Sequence, residues 1–361
     1  MNVVEITRTD DLMGLAPVWN QALASSGSDN VHSTFEWLST WWKHFGEDKQ
    51  LLVILVKEDD RLLGIAPLMI ESVPRIKKLL PHRTIRFLGE GPSDYADFII
   101  NGDKAQVIGL ILDHLRKRAN RWDEIDLVEI REDSPNTESL VGEAAKRGFN
   151  PQIISGVNCC YLPLNQDWET YFSSLDKRHK TAINRVIRKA GREEGGIEFV
   201  RKHPPEDLDY LMDKIVEIHR QRSQVKERAS LFETKEAFVR EAVSSFAERG
   251  WTDLSTLEIG GKVAAYSLGF DYQNVVYIWN VAFDPTYKSF APGLLTFRFL
   301  IENCMNNGHQ EFDFMRGEEP YKEEWTKLTR RNYRITMTNP AFRSRILKGL
   351  LRLGEMGSVI E

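Results

Sequence analysis

The sequence predicts an α/β chain of mixed sheets, arranged as two similar halves. Short β-branched and aromatic runs alternate with amphipathic helical stretches from one end to the other. The stretch Asp60-Arg61-Leu62-Leu63-Gly64-Ile65-Ala66 has a counterpart in Gly261-Lys262-Val263-Ala264-Ala265-Tyr266-Ser267. In each, an acidic or glycine turn and a basic residue precede apolar and small residues. The elements around the two hairpins follow in matching order, which reads as a duplication joined near Leu164. The expected domains are 1–164 and 165–340, followed by an amphipathic helix over 341–361.

In the first half, Phe35, Leu38, Trp41, Trp42 and Phe45 recur at helical spacing in STFEWLSTWWKHFGED, with Ser33 or Thr34 as the N-cap. That stripe is what a buried helix face requires. Leu51 to Lys57 and Leu62 to Ile70 form a hairpin around Glu58-Asp59-Asp60-Arg61. A strand at Thr84 to Leu88 leads to the loop Gly89 to Asp97, and Phe98 to Ile100 is a strand again. A helix over Lys104 to Ala119, a strand at Ile125 to Ile130 and a helix over Thr137 to Arg147 follow. Gln152 to Leu164 holds one or two strands.

The second half opens on a short helix with Trp168, Tyr171, Phe172 and Leu175. Next comes DKRHKTAINRVIRKAGREEGG, with one narrow apolar face of Ile183, Val186, Ile187 and Ala190. Lysines and arginines cover the rest, and Gly195 and Gly196 are expected to stop the helix. Helices over Pro205 to Arg222 and Thr234 to Arg249 precede strands at Thr252 to Ile259, Val263 to Asp271 and Val275 to Phe283. Asp284 and Pro285 break the last strand, because proline gives no N–H to a ladder. The loop Lys288-Ser289-Phe290-Ala291-Pro292-Gly293 then opens a helix over Pro292 to Asn307. Small residues at a strand-to-helix turn let a phosphate approach unpartnered N–H groups and the positive end of the helix dipole, or else the stretch is an ordinary βα turn.

Composition narrows the class. With 361 residues, 42% hydrophobic and 28% charged, this is the make-up of a soluble globular protein of about two or three domains. A net charge of −5 argues against a DNA-binding surface. Cys159, Cys160 and Cys304 cannot all pair, which fits a reducing cytoplasm. The acidic N-terminus lacks a signal-peptide core, and no apolar run nears the roughly 18 residues of a membrane span. The histidines have no HExxH or CxxC companions, so no metal centre is expected.

Strand, hairpin, then strand–loop–helix–strand resembles the GNAT acyltransferase order. There a Q/R-x-x-G-x-G/A loop cradles the pyrophosphate of coenzyme A, and Lys288-x-x-Ala291-x-Gly293 occupies that pattern. The chain is similar to the tandem-GNAT group that includes FemABX-type enzymes of the peptidoglycan bridge. Within it, the closest likeness is to BioF2-like and cellulose-biosynthesis CelD-like acetyltransferases. The likeness is carried by Asp94-Tyr95-Ala96-Asp97-Phe98, Ser174 to Lys180, Arg249-Gly250-Trp251, Ala291-Pro292-Gly293 and Glu311 to Lys322. It implies two tandem GNAT-like domains, with acetyl-CoA or another acyl-CoA as co-substrate and a sugar or cell-envelope precursor as acceptor. Aminoacyl-tRNA is the donor under the FemABX-like alternative, and a catalytically silent binding module is a third reading.

The resemblance places the donor against the main chain of Val281, Ala282 and Phe283 and the loop residues Lys288, Ser289, Ala291, Gly293 and Leu294. Alanine adds a Cβ at position 291, so the loop is expected to avoid the positive φ of a glycine-rich turn. Tyr321 is the candidate proton donor to the leaving thiolate, and Asp313 or Glu319 the acceptor of the nucleophile's proton. Arg316 and Lys322 complete this polar tail as candidate substrate contacts. The bland alternative is an ion pair between Asp313 and Arg316, with Lys322 on the surface. Arg178 and Arg185 share one side of the basic helix and are candidate phosphate ligands, or else part of a solvated face. Asp94, Tyr95 and Asp97 are candidate acceptor contacts, or else a turn with Asx-type capping. His219 reads as a base or, more simply, as a packed histidine. Phe342, Ile346, Leu347, Leu350 and Leu353 lie opposite Arg343, Arg345, Lys348 and Arg352. That fits packing on a domain or partner, or peripheral contact with an anionic membrane.

Overall fold

The structure is a computed structural model that describes residues 1–75, 80–202, 207–226 and 234–340. The segment expected as a terminal amphipathic helix, 341–361, lies outside the described residues. By contacts the chain forms two compact units. Among the described residues, the first is Met1–Val157 with 330–340, and the second is Asn158–Thr329. The sequence places the join at Leu164. Contacts divide the chain inside the strand Gln152–Pro163, and the chain re-enters the first unit near its end.

The first unit begins with β1 (Asn2–Ile6), α1 (Thr9–Met13), α2 (Ala16–Ala24) and α3 (Phe35–Phe45). Thr34 caps α3 by accepting from the Trp37 N–H. Phe35, Leu38 and Trp41 are buried as the stripe requires. So is Trp37, which lies off the stripe and donates its indole N–H to Ser93 Oγ at 2.7 Å. β2 (Lys49–Glu58), β3 (Arg61–Arg75) and β4 (Leu80–Phe87) form an antiparallel meander, and the short β5 (Ile99–Ile100) pairs with β3. After α4 (Lys104–Lys117) comes β6 (Glu124–Arg131), parallel to β4, and then α5 (Thr137–Lys146). β13 (Thr329–Thr338) closes this sheet antiparallel to β6. Apolar residues from β2, β3, β4 and α4 make one core with Trp122 and Phe149.

The second unit takes in the end of β7 (Gln152–Pro163), α6 (Trp168–Ser174), α7 (Lys177–Ala190), β8 (Ile197–Lys202), α8 (Leu208–Lys226) and α9 (Glu236–Glu248). Then come β9 (Thr252–Ile259), β10 (Lys262–Tyr272), β11 (Val275–Phe283), α10 (Pro292–Asn306), β12 (Glu311–Arg316) and the one-turn α11 (Pro320–Glu323). Its strand order is β7-β12-β11-β10-β9-β8, antiparallel except for β11 against β12.

The two units repeat one topology. β1 to β4 and β6 pair as β8 to β11 and β12 do, with a single parallel contact at the corresponding place. The expected mixed α/β class and the internal repeat are therefore present. α7 ends at Ala190, where the Gly191 N–H returns to Ile187 O and Lys189 O. The Gly195-Gly196 pair comes too late to be the stop and instead precedes β8. Among the described residues no helix is long and apolar enough to cross a membrane.

Candidate functional site

The second unit opens a wedge between its two parallel strands. β11 and β12 pair only at Val275↔Glu311, Val276↔Phe312 and Tyr277↔Asp313. Beyond that the two strands part. A bulge in β11 lies opposite Gly269, where an added Cβ would fall 2.2 Å from the Tyr277 carbonyl oxygen. β-bulges bend a strand and end its pairing, and here the bend falls at the parting. Val281, Ala282 and Phe283 sit on the parted stretch, in register with Ser267, Tyr266 and Ala265 of β10. Val281 and Phe283 pack in apolar clusters that also hold Leu294 and Leu295.

The strand runs into a 3₁₀ turn, Pro285–Phe290, started by Asp284 accepting from the Thr286 N–H at 2.8 Å. Lys288 and Ser289 are exposed. Ala291 then adopts φ 44°, ψ 56°, which corrects the expectation that alanine would avoid positive φ. It ends the turn, its N–H reaching Lys288 O at 3.1 Å, and it is also the N-cap of α10. A reversal shared by two elements imposes the left-handed conformation, at a cost of about 1 kcal/mol for an L-residue. No side chain caps α10. Gly293 has ordinary φ, and a Cβ there would meet only Phe283 Cδ1 at 3.9 Å, so the fold itself does not require a glycine.

The corresponding place in the first unit is built differently. Between β4 and α4 runs a longer loop, and α4 is capped by Asp103, whose carboxylate accepts from the Gln106 N–H at 2.7 Å. That carboxylate stands where an anion would approach the helix.

α7 borders the second unit's loop. Lys189 Nζ donates to Ser289 O at 2.9 Å and sits 4.5 Å from the Phe290 ring centre. At its other end α7 borders a cavity of about 740 Å³, lined also by Leu294, Pro320 and Trp325. Arg178 lines this cavity, and with Lys177 and Arg185 it lines an adjoining groove of about 400 Å³. His179, a cavity residue that the sequence reading passed over, sits 3.1 Å through Nδ1 from Glu324 and edge-on to Trp325. Burial pushes its imidazole below the usual range, against the pull of Glu324, so the neutral ring is favoured. One histidine inside a basic run carries no signal that could have marked it.

The polar tail divides by burial. Tyr321 is exposed, its ring stacked on Phe297 of α10 at 5.3 Å. Asp313 is fully buried and accepts from the Met315 N–H at 2.7 Å, across the bulge between Asp313 and Arg316. Lys322 is buried rather than a surface lysine. Its Nζ reaches Met315 O, Arg316 O and Gly317 O at 3.3, 2.9 and 3.3 Å, and Glu319 at 2.9 Å. It ties down the backbone after the bulge. Arg316 is half-buried.

In the first unit, Asp94, Tyr95 and Asp97 are all buried. The Asp94 N–H donates to His32 Nδ1 at 3.3 Å, and the Tyr95 ring faces the Arg131 guanidinium at 5.4 Å. Asp97 accepts from Ser134 Oγ at 2.5 Å, Asn136 Nδ2 at 3.0 Å and the Phe98 N–H at 2.7 Å. Burial nevertheless raises its pKa to about 6. Asp97 and Tyr95 line a small polar cavity of about 100 Å³ with Asn30 and Asp133. His219 is buried on α8, against Tyr266 of β10 and Asn280 of β11.

Residues 177–323 match the profile of the acetyltransferase (GNAT) domain. That stretch contains the wedge, the loop and α7. No curated protein matches the chain by sequence. Among solved structures, FemX aligns with TM-score 0.63 at 11% identity, over 92% of this chain and 97% of that one. L-PGS from Bacillus licheniformis aligns with TM-score 0.54 at 12% identity, over 94% and 96%. A tandem GNAT protein from the clavulanic acid biosynthesis pathway gives 0.52 at 13%, over 94% and 99%. At such identities the likeness is one of fold: the chain has a GNAT-like fold.

Proposed function

We propose that the protein is an acyl-CoA-dependent N- or O-acyltransferase whose donor binds in the second unit. The acceptor would be a small molecule such as a sugar or a cell-envelope or polysaccharide precursor. The observation that carries this reading is the parting of β11 from β12 immediately ahead of a helix without a side-chain cap. An extended main-chain edge followed by a helix N-terminus suits a ligand that is amide-rich in its arm and anionic at its end. The pantetheine arm would run along Val281 to Phe283, and the pyrophosphate would lie against Lys288, Ser289, Ala291, Gly293 and Leu294. Arg178 and Arg185 would attract the remaining phosphate. Tyr321, exposed on α11 with its ring against Phe297 of α10, is the proposed proton donor to the thiolate. Asp313 and Glu319 stay candidates for the opposite proton transfer, Asp313 beneath the surface and Glu319 paired with Lys322. Arg316 would touch the acceptor. The capped helix of the first unit supports a single donor site per chain.

Isothermal titration with acetyl-CoA and longer acyl-CoAs tests the reading, and absence of heat with all of them removes it. The basic groove on α7 favours one second reading, in which the acyl group arrives on a polyanion such as an aminoacyl-tRNA. Protection of charged tRNA from ester hydrolysis, without any acyl-CoA binding, would select that alternative.

A further inference from the structure

One polar network in the second unit lies beside the wedge and outside the donor loop. The Tyr266 hydroxyl donates to Asn280 Oδ1 at 2.6 Å. His219 Nε2 contacts the same hydroxyl and lies 3.1 Å from the same Oδ1. Tyr266 and His219 are buried, whereas Asn280 is half-exposed. The Tyr266 hydroxyl donating to Oδ1, with the His219 ring packed against both groups, holds the Asn280 amide with its oxygen toward the network. The end turned away from the network is Nδ2, which carries two N–H groups and has no partner among the described residues.

Position gives those N–H groups a use. Asn280 follows the β11 bulge and immediately precedes Val281. A strand rises about 3.3 Å per residue, so a thioester arm lying along 281–283 brings its acyl end level with Asn280. A donor already fixed by its own neighbours needs no reorganisation when a carbonyl arrives.

We propose that Asn280 Nδ2 donates a hydrogen bond to the acyl carbonyl oxygen of the bound thioester, and that Tyr266 and His219 are positioning residues that aim it. The proposal rests on the acyl-CoA reading above. The bond polarises the carbonyl and strengthens as charge gathers on its oxygen.

Titration calorimetry with acetyl-CoA and free CoA, a pair differing only by the acetyl group, tests this. The wild-type protein is expected to bind acetyl-CoA several-fold more tightly than CoA. In Asn280→Asp one carboxylate oxygen keeps the Tyr266 hydroxyl while the other, now an acceptor, faces the carbonyl. The preference for acetyl-CoA should vanish or reverse, with CoA affinity unchanged. Tyr266→Phe frees the amide to rotate and should shrink the preference. Because Tyr266 is buried and its variant can fail to fold, Asn280→Asp at the half-exposed position carries the test alone. A preference that survives in Asn280→Asp, or is absent in the wild type while CoA still binds, overturns this inference only. Binding of neither ligand overturns the acyl-CoA reading and this inference with it.

Discussion

Replacing Asp97 with asparagine should stabilise the protein at neutral and alkaline pH and lose that effect in acid. The carboxyl is raised from an ordinary 3.8 to about 6, burial outweighing the donors from Ser134, Asn136 and the Phe98 N–H. A raised carboxyl favours its neutral form in the folded state. Its contribution is thus fully present below the unfolded value of 3.8 and is lost as pH rises through about 6. The gap between the two values corresponds to about 3 kcal/mol, at about 1.4 kcal/mol per pH unit. Asparagine is isosteric, keeps Oδ1 for Asn136 and the Phe98 N–H, and can turn Nδ2 toward the Ser134 hydroxyl, so it avoids the buried charge. Urea unfolding of both proteins at several pH values is the assay, read as a difference so that every other titration cancels. Asp97→Asn should be the more stable by about 3 kcal/mol near pH 8 and by well under about 1 kcal/mol near pH 4. A difference that does not change between those pH values refutes the reasoning, because a lost hydrogen bond alone has no such pH dependence.

Lys322→Met removes the shared donor of three backbone carbonyls and should cost at least about 3 kcal/mol in the same assay, since each charged hydrogen bond is worth roughly 1.5–3 kcal/mol. No loss of stability would deny Lys322 its tie on the bulge. Gly293→Ala should leave thermal stability unchanged, because a Cβ there meets only Phe283, yet weaken acetyl-CoA about tenfold by holding phosphate off the main chain. The double change Arg178→Gln, Arg185→Gln should weaken CoA several-fold and flatten the salt dependence of its binding, measured by titration at two ionic strengths. Tyr321→Phe should keep acyl-CoA affinity and slow thiol release once an acceptor is supplied, because Tyr321 is exposed and its hydroxyl is proposed for the leaving group alone.

Local pattern made much of this fold legible. Thr34 announces α3 because a hydroxyl just before an apolar helical stripe has an N–H to satisfy. The hairpins show because two apolar runs flank a charged or glycine turn. What stayed hidden depends on distant partners. β13, with the sequence TRRNYRITMT, is too polar to read as a strand, and its partner β6 lies far away in sequence. β8 is half-buried along most of its length at a sheet edge, so it lacks the apolar run of an interior strand. The loop ahead of α10 was readable as a phosphate turn, but the left-handed Ala291 was not, because its conformation follows from a turn and a helix meeting at one residue. The Asn280 amide was invisible for a similar reason: its aim is set by Tyr266 on the neighbouring strand and His219 on a helix of the same unit.

The most direct test of the central claim is a crystal structure of the protein with bound CoA. The pyrophosphate should lie on main-chain N–H groups of the loop from Lys288 to Leu294, with the pantetheine along Val281 to Phe283 where β11 has left β12. CoA bound elsewhere on the molecule, with that loop empty, would contradict the account.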